Sequence, residues 1–150
     1  MIPAEPTRYL DPTQEAGRAL MARADQGPVF MLNLLRLRDF ADYTAFPELA
    51  PSSPVSGAEA FARYIAHTLP HLRASGGALE FLGEGGGFLI GPPGERWDVV
   101  MLVRQVSLGA FMAFASDAAY LAGLGHRTAA IEDSRLLPVS EGWNPTPVQT

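Results

Sequence analysis

The sequence predicts an α+β fold in which one antiparallel sheet carries helices on a single face. After a short leading helix, the apolar segments follow the order strand, helix, strand, strand, helix, strand. Capping residues and glycine stops delimit the helical segments, and the first strand, residues 29 to 37, is apolar on both of its faces. One helical layer covers only one face of a sheet, so the other face needs a cover of its own.

The elements follow in chain order. Residues 1 to 10 read as an arm, and Asp11-Pro12 with Gln14 predicts a capped start for a helix with apolar positions Ala16, Ala19, Leu20 and Ala24, stopped at Gln26-Gly27. The stretch VFMLNLLRL, residues 29 to 37, is the expected central strand. The next segment, DFADYTAFPELAPSSPVS, is rich in proline and small polar residues and reads as a long surface excursion of the kind that often carries function.

Ser56 with Glu59 caps a helix that ends at Gly76-Gly77, with Phe61, Ile65, Leu69 and Leu72 on its apolar stripe. Residues 79 to 90 predict a strand bent at Gly85-Gly86-Gly87, GPPGE a turn, and residues 97 to 106 its partner strand. Ser107 and Asp117 cap two helical segments, with Gly125 a weak point within or after the second. Residues 135 to 139 predict a last strand, which Pro138 places at an edge or an end.

The whole is read as one domain over residues 1 to 139, with an arm and helix over 1 to 27 and a flexible tail from 140 to 150. Strand order βαββαβ is the split-βαβ or ferredoxin-like arrangement.

Composition narrows the function classes. The basic side chains are 11 arginines and no lysine, dispersed in a chain of net charge −5, which argues against a nucleic-acid surface and removes Schiff-base chemistry. The absence of cysteine excludes thiolate nucleophiles and thiolate metal sites. Without a basic leader or a run of 18 apolar residues, a cytoplasmic location and no membrane partner are the expectation. Neither a phosphate-loop pattern nor a nucleophile elbow is present, and any chemistry is expected to be cofactor-free.

The runs GPVFMLNLLRLRD, ADY, SGAEAFARY, GPPGERWD and HRTAAIEDSRL, in that order over residues 9 to 139, resemble the family catalogued as domain of unknown function 1330. The resemblance implies a dimeric α+β barrel, two ferredoxin-like subunits packed sheet to sheet around an enclosed space. Related superfamily members include antibiotic-biosynthesis monooxygenases, haem-degrading enzymes, chlorite dismutases and muconolactone isomerases, so the fold leaves the reaction open.

Asn33 is the one amide in the two-sided strand, and it reads either as a donor to a ligand carbonyl or carboxylate in the inter-sheet cavity or as a structural amide bonded to backbone. Arg36, on the opposite strand face, can clasp a carboxylate or serve as an ordinary ion-pair partner, for instance of Asp39 or Asp42. Trp97 offers a flat wall for a ligand ring or core packing. His126 can exchange a proton, with Glu132 or Asp133 orienting it, and Arg127 and Tyr43 are further ligand-binding candidates.

His67 and His71 stand four apart on a helix, but with no third ligand apparent a metal site is not expected. The expected function is a homodimer that binds a small carbonyl-bearing or anionic organic molecule, an isomerase, lyase or monooxygenase being compatible. The alternative is a non-catalytic or stress-associated binding module.

Overall fold

The computed structural model describes residues 7 to 143 and 145. Its four strands are β1 (Val29–Leu37), β2 (Ala78–Gly87), β3 (Arg96–Gln105) and β4 (Ile131–Ser140). They form one antiparallel sheet in the order β2-β3-β1-β4, so β1 is central and the proline-bearing β4 is an edge. Helices α1 (Gln14–Ala22), α2 (Gly57–Ala74), α3 (Leu108–Ala115), α4 (Ala118–Leu121) and α5 (Leu124–Ala130) complete the fold. The ferredoxin-like α+β architecture read from the sequence is the one observed.

Local chemistry sets the boundaries, with several corrections. Thr13, not Asp11, caps α1, because its hydroxyl accepts from the Ala16 amide at 3.0 Å. Ser56 caps α2 as expected, its hydroxyl accepting from the Glu59 amide. The stripe that α2 buries is turned toward Ala60, Phe61, Tyr64, Thr68 and Leu72, so Tyr64 lies inside. Gly125 opens no gap after a helix but sits within α5.

The last strand is longer than residues 135 to 139 and takes in Ser140, which pairs with Val29. Of the expected flexible tail, residue 144 and residues 146 to 150 lie outside the described residues. Among the described residues, no single helix is long and apolar enough to cross a membrane.

Strand register assigns the two faces. Leu82, Met101, Asn33 and Leu136 form one row across all four strands, on the side where Val29, Met31 and Leu35 are buried beneath the helices. On the other side, Phe81, Leu102, Leu32 and Leu137 form an apolar row that no helix among the described residues covers; Phe81 is 57% and Leu137 58% exposed. The two-sided apolarity of β1 is thus explained by one helical layer and one open face.

Candidate acid-base site

The loop after β1 returns to the helical layer. The amides of Arg38 and Asp42 donate to the carbonyls of Ala130 and Ala129 at 2.8 and 2.9 Å, fixing the loop along α5. The turn at Pro47–Leu49 then presses Phe46 and Leu49 onto Gly125, where a Cβ would meet them at 2.6 and 2.7 Å. Only glycine permits that approach. The result is that Tyr43, from the loop, meets His126, from α5.

The Tyr43 hydroxyl lies 2.8 Å from Nδ1 of His126, and the two rings meet edge to face at 5.6 Å. Tyr43 is buried and His126 half-buried. Burial pushes the Tyr43 phenol up, against a smaller opposing effect of Arg63, so its O–H keeps its proton at neutral pH. Burial, then Arg63, then His67 hold His126 below the ordinary histidine value, which keeps the imidazole neutral there.

A neutral imidazole hydrogen-bonded at one nitrogen by a phenol offers its other nitrogen to a ligand. Nε2 of His126 makes no hydrogen bond among the described residues. Polarising a carbonyl or passing a proton is within reach of such a pair.

The other expected residues are placed elsewhere. Arg36, Trp97 and Asp133 come together at the C-terminal end of β1, where Trp97 and Asp133 are hydrogen-bonded by protein while Nε of Arg36 is buried without a hydrogen-bond partner among the described residues. Arg36 stands 3.5 Å from Glu132 and 3.7 Å from Asp133, not against Asp39 or Asp42, and its guanidinium is 6.0 Å from the Trp97 ring centre. Arg135 lies over the same ring at 5.0 Å and over Tyr9 at 4.6 Å. Trp97 is buried by this arrangement, its Nε1 donating to Glu95.

Asp133 does not orient His126. It accepts from the Tyr9 and Ser134 amides at 2.8 and 2.9 Å and from Arg135 at 2.9 Å. Burial pushes its carboxyl up, but these donors together outweigh burial and hold it below the usual carboxylate range. Arg127 donates to the Leu10 carbonyl at 2.8 Å, and Ser134 to the Tyr9 carbonyl at 2.5 Å. Both therefore hold Tyr9 and Leu10 beside the edge strand β4.

Asn33 stands alone on the helix-covered side rather than on the open face, and its Nδ2 donates to the Met31 carbonyl. His67 rests Nε2 on the Ala119 carbonyl at 2.8 Å. Among the described residues no cluster of acidic and histidine side chains forms a metal site.

Two features escaped sequence reasoning. The Tyr43–His126 contact joins residues 83 positions apart, which no spacing reveals. Arg63 was legible only as the residue one turn before His67 on α2.

Fold and site together define a ferredoxin-like α+β protein with a phenol-imidazole pair in its helical layer. The chain is 36% identical to the RPA0582 protein of Rhodopseudomonas palustris, described as of unknown function, over 93% of this chain and 100% of that one, with a TM-score of 0.77. Against the methylated RPA0582 protein the values are 35% identity, 94% and 99% coverage and a TM-score of 0.80. The chain belongs to the family of RPA0582.

A more distant likeness is to a protein of unknown function from Thermobifida fusca described as dimeric and ferredoxin-like, at 15% identity and a TM-score of 0.46 over 77% of this chain and 92% of that one. No family model matches the sequence, and no curated protein does.

Proposed function

We propose that this protein is a homodimer that binds a small carbonyl-bearing or anionic organic molecule at Tyr43 and His126, where a proton is moved without a cofactor. The observation that carries the reading is the 2.8 Å contact between a buried phenol and a half-buried imidazole whose second nitrogen is unengaged among the described residues. In the tautomer this reading requires, Tyr43 donates to Nδ1 and the proton of the neutral ring stands on Nε2, aimed at the ligand. A carbonyl oxygen accepting from Nε2–H gains stabilisation as negative charge develops on it in an enolisation, in which the α C–H bond breaks with its electron pair passing to the enolate and its proton to solvent water, and water returns a proton to carbon in the reverse step.

Membership in the family catalogued as domain of unknown function 1330 is part of the same reading, supported by the motifs from VFMLNLLRLRD to HRTAAIEDSRL. Homodimerisation is supported by the open face, where the row Phe81, Leu102, Leu32 and Leu137 presents apolar side chains across the whole sheet. Sheet-to-sheet packing of two copies buries it on both.

The decisive experiment is a thermal-shift screen of small carbonyl acids against the wild type and Tyr43→Phe, followed by exchange of substrate protons with D2O. Acids that stabilise the wild type are expected to exchange with it and to exchange at least tenfold more slowly, on the order of one lost hydrogen bond to the imidazole, with Tyr43→Phe. Equal exchange by the two proteins would overturn proton transfer at this pair.

A further inference from the structure

We infer that Arg63 is the anion anchor of the Tyr43–His126 site, so that the ligand is a small carboxylate whose acid group is held by Arg63 while another of its oxygens meets His126. The inference rests on the proposed reading of that pair as a ligand site, and it adds a residue and a ligand class to it.

Three placements carry it. Arg63 precedes His67 by one turn on α2, so the two share a flank of that helix. The His67 ring lies on Gly123, a position where a Cβ would run into its Cδ2, Cγ and Nε2. The Gly123 carbonyl in turn accepts from the amide of His126 at the start of α5. Gly57 at the start of α2 faces the Ala130 carbonyl and His67 faces Gly123, so α2 runs antiparallel past α5 and Arg63, between the two contacts, stands level with His126 on the α2–α5 seam, with Tyr43 closing the cluster from the loop.

The charges around this seam leave Arg63 available. Glu59 stands one turn before it, yet among the described residues no carboxylate lies in ion-pair contact with Arg63. Arg36 and Arg135, by contrast, are tied to Glu132 and Asp133. His67 has Nε2 occupied by the Ala119 carbonyl, so as a neutral ring it has no N–H left for an anion. An exposed guanidinium without a carboxylate, beside an imidazole whose proton affinity it depresses, is the group in this cluster suited to a carboxylate.

The test uses the full chain and malonate as the probe, with His126 followed by NMR. A carboxylate at Arg63 cancels part of the field that depresses His126, so saturating malonate is expected to move its titration midpoint upward by about half a pH unit. In Arg63→Met the midpoint should already lie higher without malonate, and malonate affinity should fall about tenfold, as for loss of one charged hydrogen-bond donor. Arg63→Lys should keep part of the effect, and Arg73→Met, on the last turn of the same helix, should keep all of it.

A midpoint that malonate does not move beyond the effect of sodium chloride at equal ionic strength overturns the anchor. So does an unchanged malonate response in Arg63→Met. Failure of the two readings is separable: a normal malonate response with equal deuterium exchange in Tyr43→Phe leaves the anchor standing and removes only proton transfer.

Discussion

Nδ2 of Asn33 donates to the carbonyl oxygen of Met31, two residues earlier on the same face of β1, at 3.0 Å. The amide thus spends a donor on its own strand, between Met101 and Leu136 on the helix-bearing side of the sheet, where Asn33 and Met101 are buried. A local bond of this kind holds the backbone of the central strand in one conformation, and it answers why an amide is tolerated in an apolar run.

It follows that Asn33→Ala should act on stability and not on ligand response. Loss of the bond in a buried setting is expected to cost about 1–2 kcal/mol in urea unfolding. Ligand-induced stabilisation of the variant should match that of the wild type.

Gln105 gives the opposite expectation. It is 1% exposed, and among the described residues neither its amide nitrogen nor its amide oxygen has a hydrogen-bond partner. A buried amide without partners is costly, so a side chain of similar length without polar atoms should be better accommodated. Gln105→Met is expected to raise stability by about 1–2 kcal/mol, read as a higher urea midpoint at unchanged slope.

The open face makes a separate prediction. Light scattering at micromolar concentration should give twice the 16.1 kDa chain mass. Leu137→Arg places a charge at the β4 end of the exposed row, at a side chain already 58% exposed in the single chain, so it should shift the mass to 16.1 kDa with the fold retained by circular dichroism. A wild-type monomer would remove the sheet-to-sheet dimer.

His126 sets a pH dependence whose sign is fixed by its surroundings. Burial, Arg63 and His67 lower its proton affinity in the folded chain, so the unfolded chain binds more protons as pH falls through the ordinary histidine value of 6.5. This contribution to stability is present above that value and is lost as pH falls below it, toward the depressed midpoint of the folded state. His126→Gln should flatten this part of the stability profile relative to wild type.

The sequence by itself determined the fold and its two faces. Strand order, the Ser56, Ser107 and Asp117 caps and the apolar run of β1 are local or periodic signals, and each is fixed by backbone geometry within a few residues. The edge position of β4 was legible in Pro138, which lacks an amide for a second ladder.

Tertiary structure alone decided how the candidate residues divide. Asn33, Arg36, Asp133 and His126 look equally chemical in a row of letters, yet Asp133 is taken by Arg135 with Arg36 3.7 Å away, Asn33 bonds to Met31, and His126 meets Tyr43. The physical reason is that a polar side chain's role depends on which groups complete its hydrogen bonds. Here those groups are brought in by long-range packing, through Phe46 and Leu49 against Gly125 and through the arm against β4.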